Sequence, residues 1–349
     1  MKESIIIGKK EITDQSLFFI AEIGANFQGD INMAKKMIVE AKKAGADAVK
    51  FQSWKKDTLM VEDLWLNKKS DIKEFGFEKM EDLLDFLSLS EDEIIELKKF
   101  SDEVGILFSS TPVTFEDVDL LDELDVAFYK VASCDLDNLP LIEHIAKKGK
   151  PIIVSTGMGT LKEIALAVDT AVSAGNNKIM LLHCVSLYPP DDEIVNLNNI
   201  PFLKEVFKIP VGFSDHTIGI SIPLASIALG ANLIEKHFTL NKNFPGWDHK
   251  ISATPDEFAF LVKEGKRIKK SIGERVRKLS DKEYHQRTLF RRSIVASNEI
   301  KKGEIITMNN IAFKRPAKGL SPSRINLILG KRARRNIAKD ENILERDVE

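Results

Sequence analysis

Apolar positions along the chain gather in short runs that alternate with longer amphipathic stretches. Eight near-continuous apolar runs stand out, at residues 17–23, 46–52, 106–111, 127–133, 151–156, 179–185, 210–214 and 233–239. Short runs without polar alternation fit parallel strands covered on both faces. Between them the apolar residues recur at helical spacing. Ile31, Ala34, Met37, Ile38 and Ala41 share one face, and Ile164, Val168, Ala171 and Val172 share another. Helix-stop and turn signals precede several runs: Ala-Gly-Ala-Asp before the second, Lys-Lys-Gly-Lys-Pro before the fifth and Leu-Gly-Ala-Asn before the eighth. Eight β/α alternations predict an α/β fold of the (β/α)8 TIM-barrel type. A doubly wound sheet would lack the eighth strand and usually opens on a Gly-rich turn.

The connection after the second run, residues 53–90, is long. It holds Trp54, Trp65 and a charged stretch at 68–73, and it reads either as a lid over the barrel mouth or as an extra flanking helix. After Gly273 the rhythm changes. Residues 274–292 are charged and helix-prone, as in a linker, and from Ser293 short strands punctuated by Gly and Pro predict a small β-rich domain. The expected organisation is therefore a barrel over 1–273, a linker over 274–292 and a second domain over 293–349.

Composition narrows the class. A chain of 349 residues, 43% apolar and 30% charged, is an ordinary globular composition. No apolar stretch reaches membrane-spanning length and the first residues lack a signal-peptide core, so no membrane role is expected. Cys134 and Cys184 are the only cysteines, which implies no disulfide framework and a cytoplasmic location. The net charge of −2 is uneven: from Phe290 onward fourteen Lys/Arg face seven Asp/Glu, which leaves −9 on the rest. The basic charges are interleaved with Ile, Leu and Val. That pattern points away from nucleic acid and toward a folded domain facing an acidic partner or an anionic ligand.

In a barrel of this kind the chemistry lies at the C-terminal ends of the strands. Reading those ends in order gives Glu22 and Asn26; Lys50 and Gln52; Ser110 and Thr111; Lys130 and Ser133; Ser155 and Thr156; His183, Ser186 and Tyr188; Ser214, Asp215 and His216; and His237, with Asp248 and His249 beyond. His216 and His237 close adjacent runs, so both imidazoles emerge at one end of the sheet. Such a pair suits an exchangeable divalent metal that acts as a Lewis acid on a carbonyl. Lys50 and Lys130, among Ser and Thr hydroxyls, suit a multiply charged anion. A Schiff-base role for either lysine is the rival chemistry. Glu22 is a lone carboxylate placed to handle protons. Strand neighbours point to opposite faces, so the His183–Cys184 pair is not expected to act as nucleophile and base.

At these residues the chain resembles the sialic acid synthase family. The matching stretches, in order, are Ile-Ala-Glu-Ile-Gly-Ala-Asn, Val-Lys-Phe-Gln, Tyr-Lys-Val-Ala-Ser, Ser-Thr-Gly-Met, Leu-His-Cys-Val-Ser-Leu-Tyr-Pro, Gly-Phe-Ser-Asp-His-Thr-Ile-Gly, Glu-Lys-His-Phe-Thr-Leu and Pro-Gly-Trp-Asp-His-Lys. The C-terminal stretches Arg-Arg-Ser-Ile-Val-Ala, Ile-Lys-Lys-Gly-Glu-Ile-Ile-Thr and Lys-Arg-Pro-Ala-Lys-Gly-Leu-Ser-Pro resemble the antifreeze-like SAF domain, a β-clip fold that such synthases carry.

The resemblance implies a condensation of phosphoenolpyruvate with an N-acetylated amino sugar of the N-acetylmannosamine type, giving a nonulosonic acid and phosphate. It implies that His216 and His237 hold Mn2+, with Mg2+ and Co2+ as alternatives. Lys50, Lys130, Thr111, Ser133, Ser155, Ser186 and Ser214 would hold phosphoenolpyruvate, while Glu22, Gln52, Tyr188 and Asp248 would face the sugar or the tetrahedral intermediate. It further implies a homodimer with swapped C-terminal domains, in which Arg315 reaches the partner's barrel. Two positions depart from the family pattern, Phe27 and Trp247; both are expected near the sugar, and they leave neuraminate-, legionaminate- and pseudaminate-type acceptors open. The competing classes are an enzyme that makes a seven- or eight-carbon ketoacid phosphate, and a non-catalytic sugar- or anion-binding barrel.

Overall fold

The computed structural model describes residues 5–61, 72, 76–274 and 276–349. The chain divides into two compact units, Met1–Gly273 and Glu274–Glu349. The first opens with an antiparallel hairpin, β1 (Ile5–Ile7) and β2 (Lys10–Ile12). Eight parallel strands follow: β3 (Phe18–Glu22), β4 (Ala48–Ser53), β5 (Leu107–Pro112), β6 (Tyr129–Val131), β7 (Ile152–Ser155), β8 (Ile179–Cys184), β9 (Val211–Asp215) and β10 (Leu233–His237). They lie in the order β5-β4-β3-β10-β9-β8-β7-β6. At the remaining seam the Ser109 hydroxyl donates to the Phe128 carbonyl at 2.8 Å, so the sheet is a nearly closed barrel.

All the strands expected of a (β/α)8 barrel are present. The fourth of them, β6, is shorter than the run at 127–133, because Ser133–Asp135 winds into a 3-10 turn. The helix Ile31–Lys43 starts at Asp30, whose side chain accepts from the Asn32 N–H, and it buries the expected Ala34, Met37, Ile38 and Ala41. The helix Leu161–Ser173 is rotated from its expected face: it buries Ile164, Ala167 and Ala171 and leaves Val172 exposed.

Alternation along the strands creates two cores. One set of side chains, including Phe19, Val49, Phe51, Leu181, Phe213 and Ile234, packs between sheet and helices. The other points into the barrel, where Phe18, Ile20, Ala48, Phe128, Ile153, Met180, Leu182 and Leu233 pack together. Ile5, Ile7 and Ile12 of the hairpin join this inner cluster and plug the N-terminal end. The hairpin was not evident in the sequence, because three-residue strands are too short for a periodic signal. Gly212 on β9 is required by close approach: a Cβ there would lie 2.4 Å from the Leu233 carbonyl oxygen.

In the connection after β4, Lys56–Leu59 and Met80–Leu87 are helical. Trp54 packs with Met80, Leu83, Leu84 and Leu87 of the second helix. Trp65 and most of the charged stretch at 68–73 lie outside the described residues.

The second unit begins with a helix, Asp281–Phe290, inside the segment expected to be a linker. β11 (Ser293–Ala296) and β12 (Ile311–Lys314) pair antiparallel. Ile294, Ile300, Ile306, Ile328, Ile337 and Ile343 form the centre of a separate small core. The Arg315 guanidinium lies over the Phe290 ring, 5.2 Å from its centroid. Among the described residues no helix is long and apolar enough to cross a membrane.

Candidate active site

The inward positions that are apolar near the hairpin turn polar toward the strand ends. On β3 the series runs Phe18, Ile20, Glu22; on β4 it runs Ala48, Lys50, Gln52; on β10 it runs Leu233, Glu235, His237. A cavity of about 690 Å³ opens there. Every barrel residue given a role above lines it: Glu22, Lys50, Gln52, Thr111, Lys130, Ser133, Ser155, Ser186, Tyr188, Ser214, His216, His237 and Asp248.

Other residues near the strand ends do not. Asn26 donates to the Phe238 carbonyl and the Ser252 hydroxyl. Ser110 pairs with Ser53, Thr156 donates to the Leu182 carbonyl, and His249 pairs with Thr239. Asp215 pairs with Lys236. His183 turns away from the cavity, bonding to the Val195 carbonyl at 2.6 Å and stacking on Phe213. Its neighbour Cys184 lines the cavity, but burial raises its thiol above the usual range, which leaves little thiolate for nucleophilic chemistry. Phe27, expected near the sugar, is instead buried in the outer core against Phe51, with ring centroids 6.2 Å apart. Trp247 does reach the cavity.

The floor of the site is a chain of paired charges. Gln52 Nε2 donates to Glu22 Oε1 at 3.0 Å, and Lys50 Nζ lies 2.6 Å from Glu22 Oε2. Lys50 also donates to Thr111 Oγ1 at 2.9 Å. Glu235 Oε1 lies 3.9 Å from Lys50 and 3.5 Å from Lys130, and accepts from the Ser214 hydroxyl at 3.2 Å. Burial pushes the Glu22 carboxyl up to about 7 against the pull of Lys50. Burial would raise Glu235 too, but the Lys130 and Lys50 ammonium groups hold it below the usual carboxylate range. Glu235 was missed in the sequence because it sits inside an apolar run. Its spacing of two from His237 was the available signal, since that parity puts both on the inner face.

Beside the lysines the hydroxyls of Ser155 and Ser186 are buried without a partner. Such groups are rare in native interiors and mark places where a ligand or water supplies the bond. Gly157 keeps this region open: its N–H donates to Ser133 Oγ at 3.1 Å, and a Cβ there would lie 2.2 Å from Ser186 Oγ and 2.7 Å from Ser133 Oγ. Two ammonium groups, a set of hydroxyls and a glycine gap are the donors and the space that a compact anion would need.

The two imidazoles face each other with ring centroids 5.4 Å apart. His216 Nδ1 bonds to the Val185 carbonyl at 2.9 Å, so that nitrogen carries the proton and Nε2 keeps its lone pair. His237 Nδ1 is buried without a hydrogen bond, 3.6 Å from Asp248 Oδ2. Burial lowers His216 to about 4, aided by the facing His237. Burial, then Lys50, lowers His237 to about 3. Neutral imidazoles, one with an orphaned nitrogen, fit a divalent cation. Among the described residues no group of three or more His, Cys, Asp or Glu forms a closed cage. The protein would therefore supply two ligands and leave the other positions to water and substrate.

Fold and site together define a (β/α)8 barrel whose C-terminal mouth gathers two lysines, a set of hydroxyls and a pair of imidazoles in one cavity, carried on one chain with a small β-rich domain. Residues 37–277 match the NeuB family and residues 291–349 match the SAF domain. The chain belongs to the NeuB family. It is 44% identical to an uncharacterised protein of Methanocaldococcus jannaschii, over 97% of this chain and 95% of that protein. It is 42% identical to the N,N'-diacetyllegionaminic acid synthase of Campylobacter jejuni, over 93% and 98% respectively. The crystal structure of the N-acetylneuraminic acid (sialic acid) synthetase from Leptospira borgpetersenii, in complex with citrate, superposes with a TM-score of 0.73 at 36% identity, covering 82% of this chain and 95% of that one.

Proposed function

We propose that this protein is a nonulosonic acid synthase that condenses phosphoenolpyruvate with the open-chain aldehyde of an N-acetylated amino sugar. The observation that carries the reading is one cavity holding Lys50, Lys130 and the unpartnered Ser155 and Ser186 hydroxyls beside the neutral pair His216 and His237. The lysines, with Thr111, Ser133 and Ser214, bind the phosphate and carboxylate. C3 of phosphoenolpyruvate attacks the aldehyde carbon, the new C–C bond takes the enol π electrons, and the aldehyde oxygen takes a proton. Water adds at C2 and loses a proton. The C2–O bond to phosphate then breaks, phosphate leaves with that electron pair, the new C2 hydroxyl gives up its proton as its oxygen becomes the carbonyl, and a 2-keto acid remains. Glu22, with a carboxyl near neutrality, exchanges protons with the oxygens on the reacting carbons. Gln52, Tyr188 and Asp248 orient the sugar. A bound Mn2+, or Mg2+ or Co2+ in its place, would polarise the aldehyde as a Lewis acid.

The test is phosphate release from phosphoenolpyruvate and Mn2+ across a panel of amino sugars. Release is expected only with an N-acetylated acceptor present, and release with none of them defeats the proposal.

A specific feature favours a second acceptor reading, a sugar with two acylamino groups. A side pocket of about 290 Å³ adjoins the cavity, and Ala25, Trp247 and Asp248 line both. Its other walls include Phe77, Leu83, Phe86 and Leu87. Hydroxyls pressed on those walls would lose hydrogen bonds to water, whereas an acyl methyl group would gain by burial. The product named for the Campylobacter jejuni relative carries two acetyl groups. Comparing N-acetylmannosamine with a 2,4-diacetamido sugar in the same assay separates the readings.

The same proposal makes the working unit a cytoplasmic homodimer in which Arg315 serves the partner's site. Its support is the charge split along the sequence, basic from Phe290 onward and acidic before it.

A further inference from the structure

Behind the two histidines, on the face of the sheet away from the cavity, Asp215 and Lys236 form an ion pair. Lys236 Nζ lies 2.6 Å from Asp215 Oδ2, and neither side chain is exposed at all. Nζ also donates to the Thr217 carbonyl at 2.5 Å. The other carboxylate oxygen accepts from the Thr217 N–H at 2.9 Å and from its hydroxyl at 2.7 Å. The surrounding outward positions are apolar: Phe19, Val49, Phe51, Leu181, Phe213 and Ile234. Stability alone does not explain a charge pair in that layer, because apolar replacements of buried pairs are often neutral or stabilising.

Position explains it. Lys236 and Asp215 are partners on the last rung of the β9–β10 ladder, and His237 and His216 each come one residue later. His237 is held on its other side, where it pairs in register with Glu22 of β3. His216 is held on its other side by the Val185 carbonyl. No ladder rung joins the two histidines to each other. The link between their strands at that level is the Asp215–Lys236 pair, and its bonds to Thr217 fix the backbone on both sides of His216.

We infer that the Asp215–Lys236 pair is a brace that sets the His216–His237 spacing and so tunes the affinity of this centre for a divalent cation. The inference rests on the metal reading above. Asp215 and Lys236 are positioning residues; they touch neither substrate nor ion.

The experiment is direct Mn2+ binding to the full chain, with free Mn2+ followed by electron paramagnetic resonance. Circular dichroism and thermal melts accompany every variant. The wild type should take up Mn2+ at a site lost in the His216→Ala/His237→Ala variant. In the charge-free Asp215→Leu/Lys236→Met variant Mn2+ should bind about tenfold or more weakly, the loss typical when groups supporting metal ligands are removed. The KM for phosphoenolpyruvate at saturating Mn2+ should stay near wild type. If that variant does not fold, Asp215→Asn, which keeps the shape and the bond from Thr217, should show a smaller loss in the same direction. A folded variant of either kind that binds Mn2+ like the wild type overturns the brace. A wild type that takes up no Mn2+ overturns the metal reading itself, and the brace with it.

Discussion

Glu22 and Lys50 sit opposite each other on adjacent strands, Lys50 Nζ 2.6 Å from Glu22 Oε2, with both side chains almost wholly removed from water. Removing one partner of such a pair strands a buried charge, so the informative substitution keeps the shape. Glu22→Gln still accepts from Lys50 but cannot exchange a proton. We expect kcat to fall by about 10²–10⁴, the usual contribution of a positioned acid or base, with little change in melting temperature. Phosphate-release kinetics beside thermal melts check this, and near-normal turnover removes Glu22 from proton transfer.

Lys50 and Lys130 should bind phosphoenolpyruvate without covalent chemistry. Lys130→Ala is expected to weaken substrate binding by about 2–5 kcal/mol, the range for truncating one partner of a buried charge pair, seen chiefly as a raised KM. Borohydride treatment in the presence of substrate should trap no pyruvyl-lysine. A trapped adduct would move the protein to Schiff-base chemistry.

His216→Ala and His237→Ala should each abolish turnover while circular dichroism stays native, because both residues lie at the barrel mouth and not in its apolar core. Chelator treatment of the wild type should do the same, reversibly on adding Mn2+. Activity persisting in both variants with chelator in excess excludes the metal-assisted route.

Subunit complementation addresses the proposed dimer. Glu22→Ala chains mixed with Arg315→Ala chains should regain activity after subunit exchange, since a mixed dimer has one intact site if the arginine acts in trans. Fluorescence energy transfer between labelled chains verifies exchange. No recovery despite exchange means that Arg315 acts within its own chain or has no role.

In the second unit the buried Asp347 carboxylate accepts from Arg335 Nε at 2.8 Å and from the Leu344 N–H at 2.9 Å. Burial alone would raise its carboxyl, but these donors hold it below the usual carboxylate range. A depressed native value stabilises the fold above the unfolded value of about 3.9, and that stabilisation is lost as pH falls through the native value. Asp347→Asn should cost about 1.5–3 kcal/mol at neutral pH, the range for hydrogen bonds to a charged group. The gap from wild type should shrink below about pH 4. Denaturant melts of the full chain from pH 3 to 7 measure it, and a gap unchanged with pH contradicts this role for the carboxylate.

Much of the barrel was legible in the sequence because its signals are local. Apolar runs marked the strands, and their C-terminal ends delivered Glu22, Lys50, Lys130, His216 and His237 to one cavity, since parallel strands of a barrel present those ends on one side. Parity within a strand, read more strictly, would also have found Glu235 and set aside His183 and Asp215. Phe27 was misplaced because motif position says which loop a residue is on, not which way its side chain turns.

The sequence by itself determined the fold class, the family and the strand ends that carry the chemistry, because strand periodicity and motif order are properties of contiguous residues. Only the tertiary structure decided how those ends combine. Glu22, Lys50, Glu235 and Lys130 become one chain of charges with Gln52 hydrogen-bonded at its end, Ser155 and Ser186 are left unpartnered around Gly157, and Lys236 reaches Asp215 behind the histidines. Such pairings join residues from separate strands. They are set by barrel register and by the exclusion of water, which makes an unpaired buried charge costly, and no local pattern encodes either.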